Sequence, residues 1–216
     1  ITVVGKQTSQ LRPALLEEII LVVSFPRLMK WGANQHSFAR PIQWILALFD
    51  GKVVSFEHEG IKAGNMTCGH RFMAPDPVVI KTVDGYENNL EAVSVIGDFE
   101  LRKEKVLNEI KEAVAAADFG TDAEVAVHEG LLDTVTNLVE IPFGVCGRFD
   151  DKFLAVPDEV LITSMREHQK YFPVVARDGK LLPGFVAVNN TRVIKPELTR
   201  EGHERVLRAR LEDAYF

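Results

Sequence analysis

Two Asp-Gly dipeptides, each set between apolar runs, constrain the fold of this chain more than any other feature. Asp50-Gly51 separates the run 42–49 from 53–56, and Asp178-Gly179 separates 172–176 from 181–188. Glycine tolerates the positive φ that a tight turn demands, so Asp-Gly between apolar runs predicts a β-hairpin. Hairpins join antiparallel neighbours, which argues against an all-parallel sheet. The two units share a strand–Asp-Gly-Lys–strand grammar, and hairpins are common enough that chance accounts for the likeness. The run 42–49 is too apolar for simple alternation and suits a strand buried on both faces, or a short core helix.

Between the hairpins the period changes from two to 3.6. Over residues 98–119, Leu107, Ile110, Val114 and Ala117 recur on one face, Asp98 is placed to cap the first turn, and Gly120 to close the last. Further helices are predicted at 13–23, 86–93, 131–139, 157–169 and 197–216. Pro13 and Pro157 suit first helical turns, and Leu15, Leu16, Ile19, Ile20 and Val23 form the apolar face of the first. Strands are predicted at 78–83, 124–127 and 143–149. This order predicts an α+β fold, a mixed and mostly antiparallel sheet with packed helices. Trp31 and Trp44 are expected in the core, because each carries a large apolar area.

The chain has 216 residues, 46% hydrophobic and 26% charged, a composition that excludes a disordered, collagen-like or disulfide-scaffold chain. Cys68 and Cys146 lie far apart and neither belongs to a CxxC pair, which suggests a reducing compartment. No apolar run, 19–23 included, is long enough to span a membrane. The net charge is −6, but residues 1–160 carry −9 and residues 161–216 carry +3. Any nucleic-acid contact should therefore be local and favour the basic end. Ile1 opens the chain in place of Met, and the last helix is still running at Phe216, so a piece of a longer protein is expected. The expected organisation is a core region over 1–196 and, at 197–216, a helix leading into a next domain.

Three constellations could carry chemistry. Cys68-Gly69-His70-Arg71-Phe72, with Glu57-His58-Glu59 upstream, combines thiol and imidazole. Structural zinc needs four ligands and the other cysteine is distant, while strand neighbours alternate faces, which weakens a thiol–imidazole nucleophile. Met165-Arg166-Glu167-His168-Gln169-Lys170-Tyr171-Phe172-Pro173 gathers cations, an imidazole and aromatics where a helix gives way to a strand. Such groups contact phosphate, ribose or a stacked base, or else fill a core junction. In the last helix Arg205, Arg208 and Arg210 alternate with acids, and an ion-paired face packing on another domain is expected. No glycine-rich phosphate loop of either standard spacing occurs.

Several ordered motifs resemble the β subunit of bacterial glycyl-tRNA synthetase. They are Phe25-Pro26-Arg27-Leu28-Met29-Lys30-Trp31-Gly32, Phe38-Ala39-Arg40-Pro41-Ile42-Gln43-Trp44, Gly69-His70-Arg71-Phe72, the run 157–165 into His168-Gln169-Lys170-Tyr171-Phe172-Pro173, and the closing run 204–214. One departure is His203, where the family pattern leads us to expect Asn.

The resemblance implies a cytoplasmic α2β2 ligase that joins glycine to tRNA-Gly with ATP. The α subunit holds the adenylate-forming site with ATP and magnesium, so no cofactor and no membrane contact are expected of this chain. The implied architecture is similar to the editing-type domain of the phenylalanyl-tRNA synthetase β subunit. The implied role is to position the tRNA acceptor arm through Arg40, His70, Arg71, Arg166, His168, Lys170 and Arg192, gathered on a common ledge. Excluding larger amino acids from a glycine pocket needs little editing. A hydrolase using Cys68 and His70 on misacylated tRNA, and a purely structural module docking the α subunit, are the alternatives.

Overall fold

Both Asp-Gly hairpins form, one in each of two units into which the chain divides, up to Val93 and from Ser94 onward. The structure is a computed structural model that describes residues 8–33, 35–120 and 122–215.

The first unit opens with α1 (Thr8–Val22), which carries Pro13 in its interior and not in its first turn. Of the apolar face expected on this helix, Leu15, Ile19 and Val23 are exposed. Periodicity states which residues a helix can bury together, not that a neighbour lies over them. The run 42–49 is not one buried strand. It is cut into β1 (Ile45–Leu46) and β2 (Leu48–Phe49) at Ala47, whose N–H donates to Gly64 and whose carbonyl accepts from Val54. Trp44, expected in the core, is 46% exposed, and Phe49 is exposed as well.

β2 pairs with β3 (Lys52–Val53) around Asp50 and Gly51, at φ 52° and 71°, a two-residue turn with both φ positive. β4 (Glu57–His58) and β5 (Ile61–Gly64) pair antiparallel, and β1 lies parallel to β5. β6 (Met66–Cys68) pairs antiparallel with β7 (Pro77–Val79), and α2 (Tyr86–Ala92) follows. Among the described residues of this unit the buried apolar side chains are Ala47, Ile80 and Leu90, joined by His58, Thr67 and His70.

The second unit is built on a longer sheet. α3 (Phe99–Ala115) starts as expected, with the Asp98 carboxylate accepting from the Leu101 N–H at 2.8 Å. It buries Val106, Ile110 and Val114, with Leu107 packed at the edge. β8 (Ala123–Val125) leads to α4 (Glu129–Leu138), capped by His128, then to β9 (Phe143–Arg148) and a 3-10 turn at Asp151–Ala155. The helix predicted at 157–169 is α5 (Asp158–Thr163) continued by a π-helical turn, Ser164–Gln169. β10 (Phe172–Ala176) and β11 (Leu181–Asn189) form the second hairpin, and α6 (Pro196–Tyr215) ends the described chain. Here the Asp-Gly turn is one residue larger. Only Gly179 has positive φ, 86°, and its N–H donates to Ala176, while Asp178 accepts from the Lys180 N–H.

The sheet runs β8-β10-β11-β9, antiparallel throughout. Alternate residues of its long strand serve opposite cores, because side chains of a strand alternate faces. Val186 joins Phe172 and Val174 against α3 and α4. Phe185 and Ala187 join Phe153, Leu161, Met165, Tyr171, Leu207 and Leu211, which brings α5, the π-turn and α6 onto the other face. Gly144 permits the closeness of α3, since a Cβ there would lie 2.4 Å from the Glu109 carbonyl oxygen. β9 is an edge strand, and acidic side chains from both layers occupy its outward N–H groups. Glu109 accepts from Gly144 at 3.0 Å and Glu204 from Arg148 at 2.9 Å, which blunts the edge against pairing with another chain.

Candidate nucleic-acid interface

In the first unit, Gly69-His70-Arg71-Phe72 follows β6 directly. Gly69 lies against the end of α2, where a Cβ would sit 2.6 Å from Val93 Cβ and 2.7 Å from the Ala74 carbonyl. The His70 N–H donates to the Val93 carbonyl at 2.9 Å, and the His70 carbonyl accepts from Ala74 at 2.8 Å. The imidazole is 1% exposed, and its Nδ1 accepts from the N–H groups of Phe72 and Met73, both at 3.2 Å. His70 is thus the inner support of a turn, not a group on its surface. That use of Nδ1 as an acceptor places the ring proton of the neutral imidazole on Nε2. Arg71 and Phe72 ride on the outside of this turn, Phe72 being 77% exposed. Arg40, extended ahead of Pro41, is exposed in the same unit.

In the second unit the π-turn presents the other cluster. Met165 is buried and anchors it, and the Met165 carbonyl accepts from the N–H groups of both Lys170 and Tyr171. This closure sets Lys170 at φ 59° and ψ 36°. A left-handed backbone costs a non-glycine residue about 1–2 kcal/mol, and residues held so gather at functional sites. π-turns have the same association. Arg166 Nε donates to Glu167 Oε1 at 2.8 Å, and Lys170 Nζ lies 4.0 Å from Glu167 Oε2. The Arg166 hydrogen bond is the main cause that holds the Glu167 carboxyl below its usual range. The trio is open to water, so the pairing is weak and either cation can exchange Glu167 for another anion.

His168, exposed on the same turn, faces a groove of about 590 Å³ between α5 and α6. Glu159, Val160, Thr163 and Ser164 also line it, with Arg210 and Asp213 from α6. Arg192 is exposed in the connector between β11 and α6.

The structure therefore brings Arg166 and Lys170 together on Glu167 and puts His168 and Arg210 on the lining of one groove. Arg40, His70 and Arg71 belong to the other unit. Sequence reasoning missed Phe72 as a surface group and the acids of the groove. Phe72 reads as core by type, and only the burial of His70 reveals which side of the turn faces out.

Behind the π-turn, Tyr171 stacks on Phe185 with centroids 4.8 Å apart, and its hydroxyl lies 2.8 Å from His203 Nδ1. His203 Nε2 lies 3.1 Å from Asn189 Oδ1. An amide oxygen only accepts, so Nε2 carries the proton and Nδ1 accepts from Tyr171. Burial holds the imidazole below its usual pKa and pushes the Tyr171 phenol up to about 12. His203, the departure from the expected Asn, thus ties α6 to the strand that leaves the π-turn. Burial also pushes the Cys146 thiol up to about 11, which keeps it in its unreactive form at neutral pH.

A family model described as glycyl-tRNA synthetase beta subunit matches residues 1–216. A glycine–tRNA ligase beta subunit from Desulfatibacillum aliphaticivorans is 50% identical over 212 residues, covering 98% of this chain and 30% of that protein. The corresponding subunit of Syntrophus aciditrophicus is 46% identical, with the same coverage. That of Geobacter sp. strain M21 is 46% identical over 213 residues, 99% of this chain and 30% of the relative. The chain thus spans 30% of the length of these relatives.

Proposed function

This chain belongs to the glycyl-tRNA synthetase beta subunit family, and on that premise we propose that it positions the acceptor arm of tRNA-Gly during ATP-dependent glycylation in the cytoplasm. Bond-making takes place on the α subunit of an α2β2 assembly, which also holds ATP and magnesium. Arg40, Arg71, Arg166, His168, Lys170 and Arg192 contribute phosphate or ribose contacts, and His70 holds the turn that carries Arg71. Such contacts orient the 3′ end and supply no chemistry themselves.

The observation that carries this reading is Lys170, a half-exposed cation held in a left-handed conformation at the end of a π-turn. Packing alone does not require a lysine there, since glycine would adopt that backbone without strain. The proposed architecture is similar to the editing-type domain of the phenylalanyl enzyme's β subunit. Lys170→Ala is expected to raise the apparent KM for tRNA-Gly and leave glycine-dependent ATP–pyrophosphate exchange unchanged. Loss of exchange with the assembly intact would instead put this residue in the chemistry and overturn the reading.

A docking role for the α subunit is the second reading, favoured by the exposed apolar residues Leu15, Ile19, Leu21 and Val22 of α1. Charge reversal on the π-turn separates the two, because docking through α1 leaves tRNA affinity untouched by it.

A further inference from the structure

We infer that Arg71 and Phe72 form a stacking tip for one unpaired ribonucleotide, its base on the Phe72 ring and its phosphate at the Arg71 guanidinium. The inference rests on the proposed tRNA-positioning role and adds to it the kind of nucleotide recognised, unpaired and read by its π-face.

A single exposed apolar side chain needs no explanation. What distinguishes Phe72 is the way its turn is held. Gly69 fits where no Cβ would, His70 is sealed beneath, and the Phe72 and Met73 N–H groups both end on the His70 ring. Two of the tip's N–H groups are thereby satisfied internally, and Phe72 stands out at 77% exposure above a buried ring. Its ring centroid lies 6.1 Å from that of His70, at 55°, so the inner ring buttresses the outer one.

A protruding aromatic serves either as an anchor for an apolar protein pocket or as a platform for a base. Arg71 decides between them. It is exposed and makes no ion pair among the described residues, and an uncompensated guanidinium on the neighbouring residue opposes entry into an apolar pocket. Beside a stacked base the same guanidinium meets the flanking phosphate. The chain's net charge of −6 repels an RNA backbone at large, so recognition here is confined to one nucleotide.

The test uses the complete enzyme and tRNA-Gly transcript, with the dissociation constant as readout. Phe72→Ala is expected to weaken binding by about five- to a hundredfold, the range for loss of one base–aromatic stack. Phe72→Trp is expected to retain binding and to add a fluorescence signal quenched by tRNA. Phe72→Leu, which keeps apolar bulk without a π-face, is expected to behave like Phe72→Ala. Retention of tRNA affinity by Phe72→Leu would overturn the inference in favour of a protein pocket. So would unchanged affinity in all three variants while Lys170→Ala still weakens tRNA, and in that case the positioning role survives. If Lys170→Ala is also silent, both ideas fail.

Discussion

The two units differ in how they use similar apolar material. The second has a nine-residue strand, β11, long enough to present alternating side chains to two helical layers, and both faces become dry cores. The first divides its apolar residues among strands of two to four residues. At that length alternation has no room to build a face. Its interior is accordingly a mixture of Ala47, Ile80 and Leu90 with His58, Thr67 and His70, and Trp44, Phe49, Leu28 and Val53 stay at the surface. Strand length, more than hydrophobic content, separates a self-sufficient core from a surface-rich one. The same contrast holds for the candidate site: the first unit holds its tip by polar contacts to a buried ring, the second holds its π-turn by packing Met165.

Truncating one apolar side chain in each unit gives the largest expected difference. Phe185→Ala removes a fully buried ring stacked on Tyr171 and is expected to destabilise the second unit by about 3–5 kcal/mol in denaturant unfolding. Truncating Leu28, exposed in the first unit, is expected to stay within about 0.5 kcal/mol. Equal losses would refute the distinction. Next in size, Gly144→Ala drives a methyl against the α3 backbone and is expected to cost about 1–3 kcal/mol, because the carbonyl it meets cannot rotate away. Glu204→Gln keeps an acceptor for the Arg148 N–H, whereas Glu204→Ala leaves an edge donor unpaired and is expected to cost about 1 kcal/mol. A melting series over the two variants distinguishes the hydrogen bond from the charge.

The smallest expected effect is a pH slope. His203 is held neutral by burial, so its folded pKa lies below its unfolded value. The unfolded chain then binds the extra proton, and stability falls as pH drops from about 6.5 toward the lowered folded value. His203→Asn is expected to remove that part of the slope between pH 7 and 5 and leave the rest. An unchanged slope would mean that the Tyr171–His203–Asn189 chain opens freely to water. Native-state hydrogen exchange gives the broadest test: protection should be high along β10 and β11 and low in β1 to β5.

Much of the secondary structure was readable from local chemistry. Asp98 caps α3 as its side chain predicts, and both Asp-Gly turns fall where apolar runs are interrupted, whereas α3 ends at Ala115 and so stops short of the Gly120 expected to close it. The candidate site was readable only as residue types. Lys170 and His168 could be singled out from an aromatic-cationic string, but not the π-turn that aims them, since one extra residue per turn leaves no trace in composition. His70, expected as a surface contact, lies inside, and the apolar ring of Phe72 lies outside. A buried imidazole that caps two N–H groups is as well satisfied as a buried phenylalanine.

Sequence alone determined most of the helices, the α+β class and the two Asp-Gly turns, because these follow from backbone preferences acting over a few residues. Only the tertiary structure decided which apolar faces find a partner, where Ala47 cuts a strand in two, and which side of the 69–72 turn meets solvent. Those outcomes depend on atoms distant in the chain: Val93 behind Gly69, the Glu109 carbonyl behind Gly144, and the Glu204 carboxylate at the edge of β9. Local propensity carries no information about such long-range contacts.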